Sequence, residues 1–192
     1  MQDILGVILC GGESKRMGRD KGLISIKDTI QAKFMADKLA FLQVHVVFSI
    51  NENQFNNYCL HVLPDDLIVD DHELKGPARG LLTVHKRCPD KDLLLLACDM
   101  LEMDSGTIQN LIDVYNIEKG YHYYVYQDEK YAQPFCGIYT AEGINRLDVN
   151  IFSQPLKNIS MQYILNSGVT RRMAINNKKV FTNYNAAPAS ER

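Results

Sequence analysis

Three short apolar runs, separated by amphipathic stretches, place the strongest constraint on what this chain can fold into. The runs read ILGVILC, VHVVFSI and LLLLAC and cover residues 4–10, 44–50 and 93–98. An unbroken apolar run of this length is typical of a strand buried on both faces, as in a parallel sheet. Between and after the runs, apolar residues recur at helical spacing in three segments, which are residues 29–42, 77–87 and 105–116.

The order of these segments predicts the fold class. Strands that alternate with helices form a parallel sheet through right-handed crossovers, with helices on both faces. We therefore predict an α/β protein with three layers, α/β/α, around a mostly parallel, Rossmann-like sheet. The later part of the chain adds strand patterns at residues 121–127, 135–139, 172–175 and 180–181, and short helical patterns at residues 141–147 and 161–167. A length of 192 residues fits one domain, so residues 1–192 are expected to form a single unit.

Composition excludes several classes of function. The net charge is −2, which argues against nucleic acid or an anionic membrane as the main partner. No segment approaches the roughly 18 apolar residues that span a bilayer, and the N-terminal apolar run is too short for a signal peptide. The five cysteines form no CxxC pair, so a zinc site or a disulfide framework is poorly supported. A cytoplasmic protein with reduced thiols is expected.

A glycine-rich, basic segment directly follows the first apolar run. Residues 9–22 read LCGGESKRMGRDKG. Glycine-rich backbone after a buried strand exposes several N–H groups, and the neighbouring lysines and arginines add donors that suit a polyphosphate. A solvated turn is the alternative. The segment does not fit GxxxxGK[ST], because Gly22 follows Lys21, and its glycines do not make GxGxxG, so the ATPase and dehydrogenase interpretations both weaken.

Five segments together resemble one family. Residues 9–21 are similar to LxGGxSxRMGxDK, the signature loop of the nucleotidyltransferases and in particular of the molybdenum cofactor guanylyltransferases, which join GMP to molybdopterin. GPARGLL resembles the GPLAG segment of that family, and LLLLACDM resembles its strand that ends in a Cys-Asp pair. DEKYAQPFCGIY and FTNYNAAP correspond to a charged turn before a strand and to an F-x-N-x-N-x-P segment. The resemblance implies the nucleotide-diphospho-sugar transferase type of fold, with a nucleotide-binding half at 1–115 and an acceptor-binding half at 116–192.

The resemblance also implies roles for individual residues. The catalytic residues would be Lys21, Arg16 and Asp99, and Asp99 would also bind Mg²⁺. The implied GTP-binding residues are Leu9, Cys10, Gly11, Gly12, Lys21, Asn51, Asp65 and Asp99. The implied acceptor-binding residues are Gln133, Asn183 and Asn185.

Part of this assignment has support independent of the family. Ligands of open parallel sheets sit beyond the carboxyl ends of the strands, so Asp99 should face the same crevice as Gly11. A carboxylate there can hold Mg²⁺ together with phosphate oxygens. Two assignments keep an alternative, because Ser49 could take the place of Asn51 and Asp66 that of Asp65. The acidic run at residues 70–73 is expected to be a solvated loop, since adjacent side chains rarely converge on one ion.

The expected activity is transfer of GMP from GTP to the terminal phosphate of molybdopterin, with or without molybdenum, and release of pyrophosphate. The partners implied are GTP, molybdopterin and proteins that hand the cofactor over. Two alternatives stay open: a related nucleotidyltransferase that uses CTP or a sugar 1-phosphate acceptor, and a GTP-binding module that has lost catalysis. The GG pair in the first loop favours GTP, since the cytidine-using members carry AAG there.

Overall fold

A computed structural model of the chain describes residues 4–11, 20–71, 78–147 and 159–182. The strands in these ranges are β1 Ile4–Leu9, β2 Ser25–Ile26, β3 Thr29–Ile30, β4 His45–Ile50, β5 Leu67–Val69, β6 Asp92–Ala97, β7 Tyr123–Gln127, β8 Ala132–Tyr139 and β9 Thr170–Ala174. The α-helices are α1 Gln31–Phe41, α2 Phe55–Tyr58, α3 Arg79–Arg87, α4 Ser105–Ile117, α5 Ala141–Asn145 and α6 Met161–Asn166. Within the described ranges, no helix has the length and apolarity needed to cross a membrane.

Seven of the strands form one sheet in the order β5-β4-β1-β6-β8-β7-β9. β1 pairs in parallel with β4 and with β6, and β4 pairs in parallel with β5. β8 runs antiparallel to both β6 and β7, and β9 lies parallel to β7 at the far edge. The chain moves outward from β1 to β5 and then returns to the other side of β1, so the strand order reverses between β1 and β6. A crevice for ligands opens at such a reversal, beyond the carboxyl ends of the strands.

Both faces of the sheet are covered. Leu94 and Leu96 of β6 point into one apolar cluster, which also contains residues of α1 and α4. Leu93 and Leu95 of the same strand point into the other cluster, with residues of α3, α5 and α6. Since alternate side chains of a strand point to opposite faces, an unbroken apolar run is what a doubly covered strand requires. The predicted three-layer α/β/α fold is confirmed.

Several predicted boundaries differ from the structure. The first two residues of the predicted helix at 29–42 form β3, which pairs with β2 in a small hairpin before α1 begins. The strand predicted at 180–181 is wrong, because Lys178–Phe181 forms a turn of 3₁₀-helix. β5 was not predicted: it has three residues, too few for a periodic pattern to stand out.

Lys38 of α1 fastens the helix to the segment that follows β6. Its ammonium group donates hydrogen bonds to the carbonyl oxygens of Leu101 and Met103, at 2.7 Å and 2.6 Å, and lies 4.5 Å from the centre of the Phe34 ring. Burial lowers the pKa of Lys38 to about 8, although the charges of Glu102 and Asp104 act in the opposite direction. The contact therefore becomes pH-sensitive at mildly alkaline pH.

This shift predicts a pH effect that can be measured by comparing the protein with its Lys38→Met variant. Between about pH 8 and the ordinary value of 10.5, the unfolded chain binds more protons at Lys38 than the folded chain. The contribution of Lys38 to the free energy of unfolding therefore rises with pH across this window and is constant below it. Urea denaturation at pH 7.5 and 9.5 should show the difference between the two proteins move in favour of Lys38 at the higher pH. A Lys33→Met control, on the exposed face of α1, should show no such movement, and an unchanged Lys38 difference would contradict the shift.

Candidate active site

The end of β1 is fixed between the ends of its two neighbours. The Cys10 N–H donates to the Ser49 carbonyl of β4 at 2.9 Å, and the Cys98 N–H donates to the Leu9 carbonyl at 3.3 Å. Cys10 and Cys98 are buried and act as small apolar residues at this point. The structure thus places Leu9, Cys10 and Gly11 at the carboxyl edge of the sheet, as predicted from the sequence. Gly12 and Arg16 lie outside the described residues.

Lys21 and Asp99 meet at this edge. The Lys21 ammonium lies 2.9 Å from a carboxylate oxygen of Asp99, although 78 residues separate the two in the sequence. Their side chains are 24% and 14% exposed, so the pair is partly buried but open to solvent. Asp99 follows β6 and Lys21 follows the loop after β1, which puts the pair at the reversal of strand order. In this position the ammonium group can neutralise the charge of a phosphate, and the carboxylate can bind the metal ion that accompanies the phosphate.

Asp20 anchors the segment that carries Lys21, a role that the sequence did not reveal. One of its carboxylate oxygens accepts hydrogen bonds from the Gly22 N–H at 3.0 Å and the Tyr58 hydroxyl at 3.2 Å. The other accepts a hydrogen bond from the Gln54 side-chain amide at 2.6 Å. The same amide nitrogen donates to the Cys10 carbonyl at 3.1 Å. Asp20 therefore connects the end of the loop to the end of β1 through Gln54.

Gln54 also fixes the predicted residue Asn51. The side-chain oxygen of Gln54 accepts a hydrogen bond from the Asn51 N–H at 2.7 Å. Asn51 is the first residue after β4 and opens a short 3₁₀-helix, Glu52–Gln54. The structure therefore brings Asn51 to the same edge as Cys10 and Lys21.

Close packing of Gly22 against Tyr58 yields a stability prediction. A β-carbon at position 22 would lie 2.0 Å from the Tyr58 hydroxyl oxygen, and Tyr58 is fully buried. Gly22→Ala should therefore lower the free energy of unfolding by about 1–3 kcal/mol. Adding Tyr58→Phe removes the clashing oxygen and leaves the nearest ring carbon at 3.2 Å, so it should recover part of the loss. Urea denaturation of the single and double variants measures the coupling, which strict additivity would contradict. Gly106→Ala, at an exposed position of α4, is the control.

Asp65 and Asp66 lie away from this edge. They precede β5 in the 3₁₀-turn Pro64–Asp66, and β5 runs parallel to β4, so they sit at the amino ends of these strands. Asp66 lies 3.7 Å from His45, the residue that opens β4. Residues 64–66 form this turn, so the two aspartates do not follow the end of a strand as Asp99 does. Nothing in the structure brings Asp65 to Lys21 or Asp99, and its role in nucleotide binding stays a prediction.

Asp70 is the carboxylate that follows β5 at the carboxyl edge. Its N–H donates to the Ile50 carbonyl at 2.7 Å, and its carboxylate accepts a hydrogen bond from the Ser49 hydroxyl at 2.6 Å. The Arg79 guanidinium lies 3.4 Å from the second carboxylate oxygen. The Asp70 side chain is only 4% exposed, so the expectation of a solvated loop is wrong at this residue. Burial raises the pKa of Asp70, against the opposing effects of Ser49 and Arg79.

Gln133 lies near the start of β8 and is the acceptor-side residue that the structure describes. β8 is antiparallel to β6, with Leu96 opposite Cys136, so the start of β8 lies beside the carboxyl end of β6. Continuing this register places Gln133 on the same edge as Asp99. Asn183 and Asn185 lie outside the described residues.

The donors at this edge supply part of what a divalent cation requires. Within residues 4–11, 20–71, 78–147 and 159–182, no group of three or more His, Cys, Asp or Glu side chains could hold a metal ion by itself. Asp99 supplies one carboxylate beside the crevice, next to Lys21. Mg²⁺ usually takes one or two carboxylates and completes its shell with water and substrate phosphates. The site therefore fits a cation that arrives with a nucleotide and not one held in a protein cage.

Two relatives and one solved structure are similar to this chain over most of its length. A molybdenum cofactor biosynthesis bifunctional protein of Synechocystis sp. is 31% identical over 137 residues, which cover 71% of this chain and 39% of that protein. A probable molybdenum cofactor guanylyltransferase of Flavobacterium johnsoniae is 30% identical over 142 residues, 73% of this chain and 70% of that protein. The structure of molybdopterin-guanine dinucleotide biosynthesis protein A from Archaeoglobus fulgidus has a TM-score of 0.75 and 16% identity, over 96% of this chain and 93% of that one.

The family follows from the extent of these similarities. The chain spans well under half of the Synechocystis relative. The Archaeoglobus structure shares its fold, which confirms the predicted fold type. Residues 6–160 match the MobA-like NTP transferase domain family. The resemblance found in the motifs is thereby confirmed, and the chain belongs to this family of nucleotidyltransferases.

Proposed function

We propose that the protein transfers GMP from GTP to the terminal phosphate of molybdopterin, with or without bound molybdenum, and releases pyrophosphate. The observation that best supports this proposal is the Lys21–Asp99 pair. The two groups are 2.9 Å apart and lie where the strand order reverses. The family match and the names of the two relatives support the reaction class and the acceptor.

The transfer needs little covalent chemistry from the protein. An oxygen of the acceptor phosphate attacks the α-phosphorus of GTP, the bond from that phosphorus to the bridging oxygen breaks, and the electron pair leaves with pyrophosphate. No general base is required, because the attacking phosphate is already anionic. Catalysis then consists of positioning the two phosphates and neutralising charge as it develops. Lys21 is the described cation best placed to neutralise charge on the α-phosphate and the bridging oxygen.

Asp99 would hold the divalent cation, and Mg²⁺ is the ion we propose. When bound, Mg²⁺ would act as a Lewis acid and would neutralise negative charge on the phosphate oxygens. Asp99 also holds the ammonium group of Lys21, which orients that side chain across the crevice. Asp20 keeps the backbone on either side of Lys21 in place through Gly22 and Gln54.

The other predicted residues complete the proposed site. Gly11, Gly12 and Arg16 would bind the β- and γ-phosphates, and Asn51 the nucleoside. Gln133, Asn183 and Asn185 would bind the acceptor, consistent with the position of β8 on the opposite side of β6 from β1. A cytoplasmic location and proteins that deliver and receive the cofactor also belong to this proposal.

Calorimetry with GTP, CTP and UTP in the presence of Mg²⁺ tests the nucleotide assignment. GTP should bind at least about tenfold more tightly than CTP or UTP, and removal of the cation should weaken binding of GTP. A preference for CTP would contradict the choice of base and leave the reaction class in place. Failure to bind any of the three nucleotides would contradict the proposed function.

A further inference from the structure

Arg79 is held at the nucleotide edge by two contacts. Its Nε lies 3.4 Å from Asp70 Oδ2, and its Nη2 donates to the Gly11 carbonyl at 3.4 Å. Ser49 donates to Asp70 Oδ1, so both carboxylate oxygens have partners that orient the guanidinium. A β-carbon at position 11 would lie 2.2 Å from Asp70 Oδ2, which shows how tightly this carboxylate packs against Gly11.

Position 79 is also where the chain departs from its family pattern. The GPLAG segment has Ala at the position that Arg79 occupies in GPARG. A small apolar residue is thus replaced by a fork of five N–H donors. The Arg79 side chain is 23% exposed, so it is accessible to solvent although Asp70 and Gly11 hold it. The Arg79 guanidinium does not support the start of α3, because its contacts are with Gly11 at the end of β1 and with Asp70.

The order of the strands indicates what this group faces. Lys21 and Asp99 lie over β6, whereas Asp70 follows β5. Three strand spacings of about 4.8 Å, roughly 14 Å in all, separate β6 from β5 along the edge. A nucleotide whose α-phosphate lies at Lys21 and Asp99 extends along this edge in one of two directions. The start of β8 and Gln133 occupy the proposed acceptor direction, so the base extends toward β4, β5 and Arg79.

We propose that Arg79 reads the base of the nucleotide by donating hydrogen bonds to the oxygen at C6 of guanine. Arginine is well suited to this edge of guanine, where O6 and N7 both accept hydrogen bonds. Asp70 is a positioning residue in this scheme, since it acts only by holding the guanidinium beside Gly11. The inference rests on the proposed use of GTP and assigns a specificity residue to that same site.

Binding of GTP and of 2-aminopurine riboside triphosphate tests this role. The analogue carries hydrogen in place of oxygen at C6 and has no proton on N1, and calorimetry with Mg²⁺ requires no acceptor. The unaltered protein should bind GTP roughly 10- to 100-fold more tightly than the analogue. Arg79→Ala should lose the part of this preference that comes from O6, so its affinity for GTP should fall toward that for the analogue, whereas its affinity for the analogue should stay that of the unaltered protein.

Two further variants test whether a change in the preference for GTP is specific to Arg79. Arg87→Ala, at the exposed end of the same helix, should keep the full preference for GTP. Asp70→Asn keeps the volume but removes the charge that holds the guanidinium, and it should reduce the preference in part. It also provides the readout if Arg79→Ala does not fold.

The remaining outcomes show whether the role of Arg79 or the proposed function itself is wrong. An unchanged ratio between GTP and the analogue in Arg79→Ala would overturn the role of Arg79 alone. An equal loss for both nucleotides would overturn it too, because that pattern indicates contact with the phosphates or a structural effect. The absence of any discrimination at C6 in the unaltered protein has the same consequence. Failure of the unaltered protein to bind GTP would instead refute the proposed function.

Discussion

Replacing Lys21 with Ala is expected to lower kcat by about 100- to 1,000-fold and to change the KM for GTP by less than about threefold. The ammonium group lies beside Asp99 at the reversal of strand order, where the reacting phosphate would be placed. Its charge matters most when negative charge builds on the bridging oxygen, so its loss acts on the transition state more than on binding of GTP. Steady-state kinetics with GTP and molybdopterin measures the two constants separately.

A matched variant controls for the loss of a lysine. Lys33→Ala removes a cation whose partner, Asp37, lies one turn away on the exposed face of α1. It should leave both constants within about twofold, since such surface pairs contribute little. Equal losses in kcat and in affinity for GTP after Lys21→Ala would contradict the role proposed for this residue. Thermal denaturation of both variants shows whether either change acts through stability.

Replacing Asp99 with Asn should abolish nearly all turnover, with a loss of about 1,000-fold or more. Asn keeps the size of the side chain but removes the charge that holds Lys21 and that would hold the cation. Raising the Mg²⁺ concentration should recover only a small part of the activity, because a neutral amide is a weak ligand for this ion. Pyrophosphate release at several Mg²⁺ concentrations measures both effects.

The control for this experiment is Asp113→Asn on the exposed side of α4. Its carboxylate accepts a hydrogen bond from Gln109 on the same helix and lies outside the crevice. Turnover and its dependence on Mg²⁺ should stay unchanged. Retention of more than about a tenth of the activity by Asp99→Asn would be inconsistent with the role of this carboxylate.

The central strands could be predicted because their sequences carry a strong physical signal. β1, β4 and β6 are covered by helices on both sides, and this requires unbroken apolar runs. Once their parallel order is assumed, residues that follow them must share one edge, so the proximity of Gly11, Asn51 and Asp99 was predictable. The contact of Lys21 with Asp99 does not follow from this rule, because Lys21 lies twelve positions beyond the last residue of β1.

Asp65, the expected nucleotide-binding residue, lies before β5 and not after a strand, and this too has a physical reason. β5 has only three residues, and the Pro64–Asp66 turn before it is richer in carboxylates than a strand end usually is. Because aspartates stand on both sides of this short run, the sequence leaves open which pair follows the end of a strand. Only the pairing with β4 shows that Asp70, and not Asp65, reaches the carboxyl edge.

Contacts between distant side chains could not be predicted from the sequence. Asp20 binds Gln54 and Tyr58 at separations of 34 and 38 residues, and no local pattern links them. Arg79 had a visible signal, its departure from GPLAG, but the partner that gives it a direction lies on another strand end. The site is thus a combination of an edge that the sequence predicts and side-chain contacts that the tertiary fold creates.

The central claim is that this site joins GMP to molybdopterin. The most direct measurement incubates the protein with Mg²⁺, molybdopterin and one of GTP, CTP, UTP or ATP, then quantifies pyrophosphate and identifies the product by mass spectrometry. We expect release of pyrophosphate with GTP in clear preference, in an amount equal to that of a guanine dinucleotide of molybdopterin. Preferred use of CTP, transfer to a sugar 1-phosphate in place of molybdopterin, or no release of pyrophosphate with any nucleotide would contradict it.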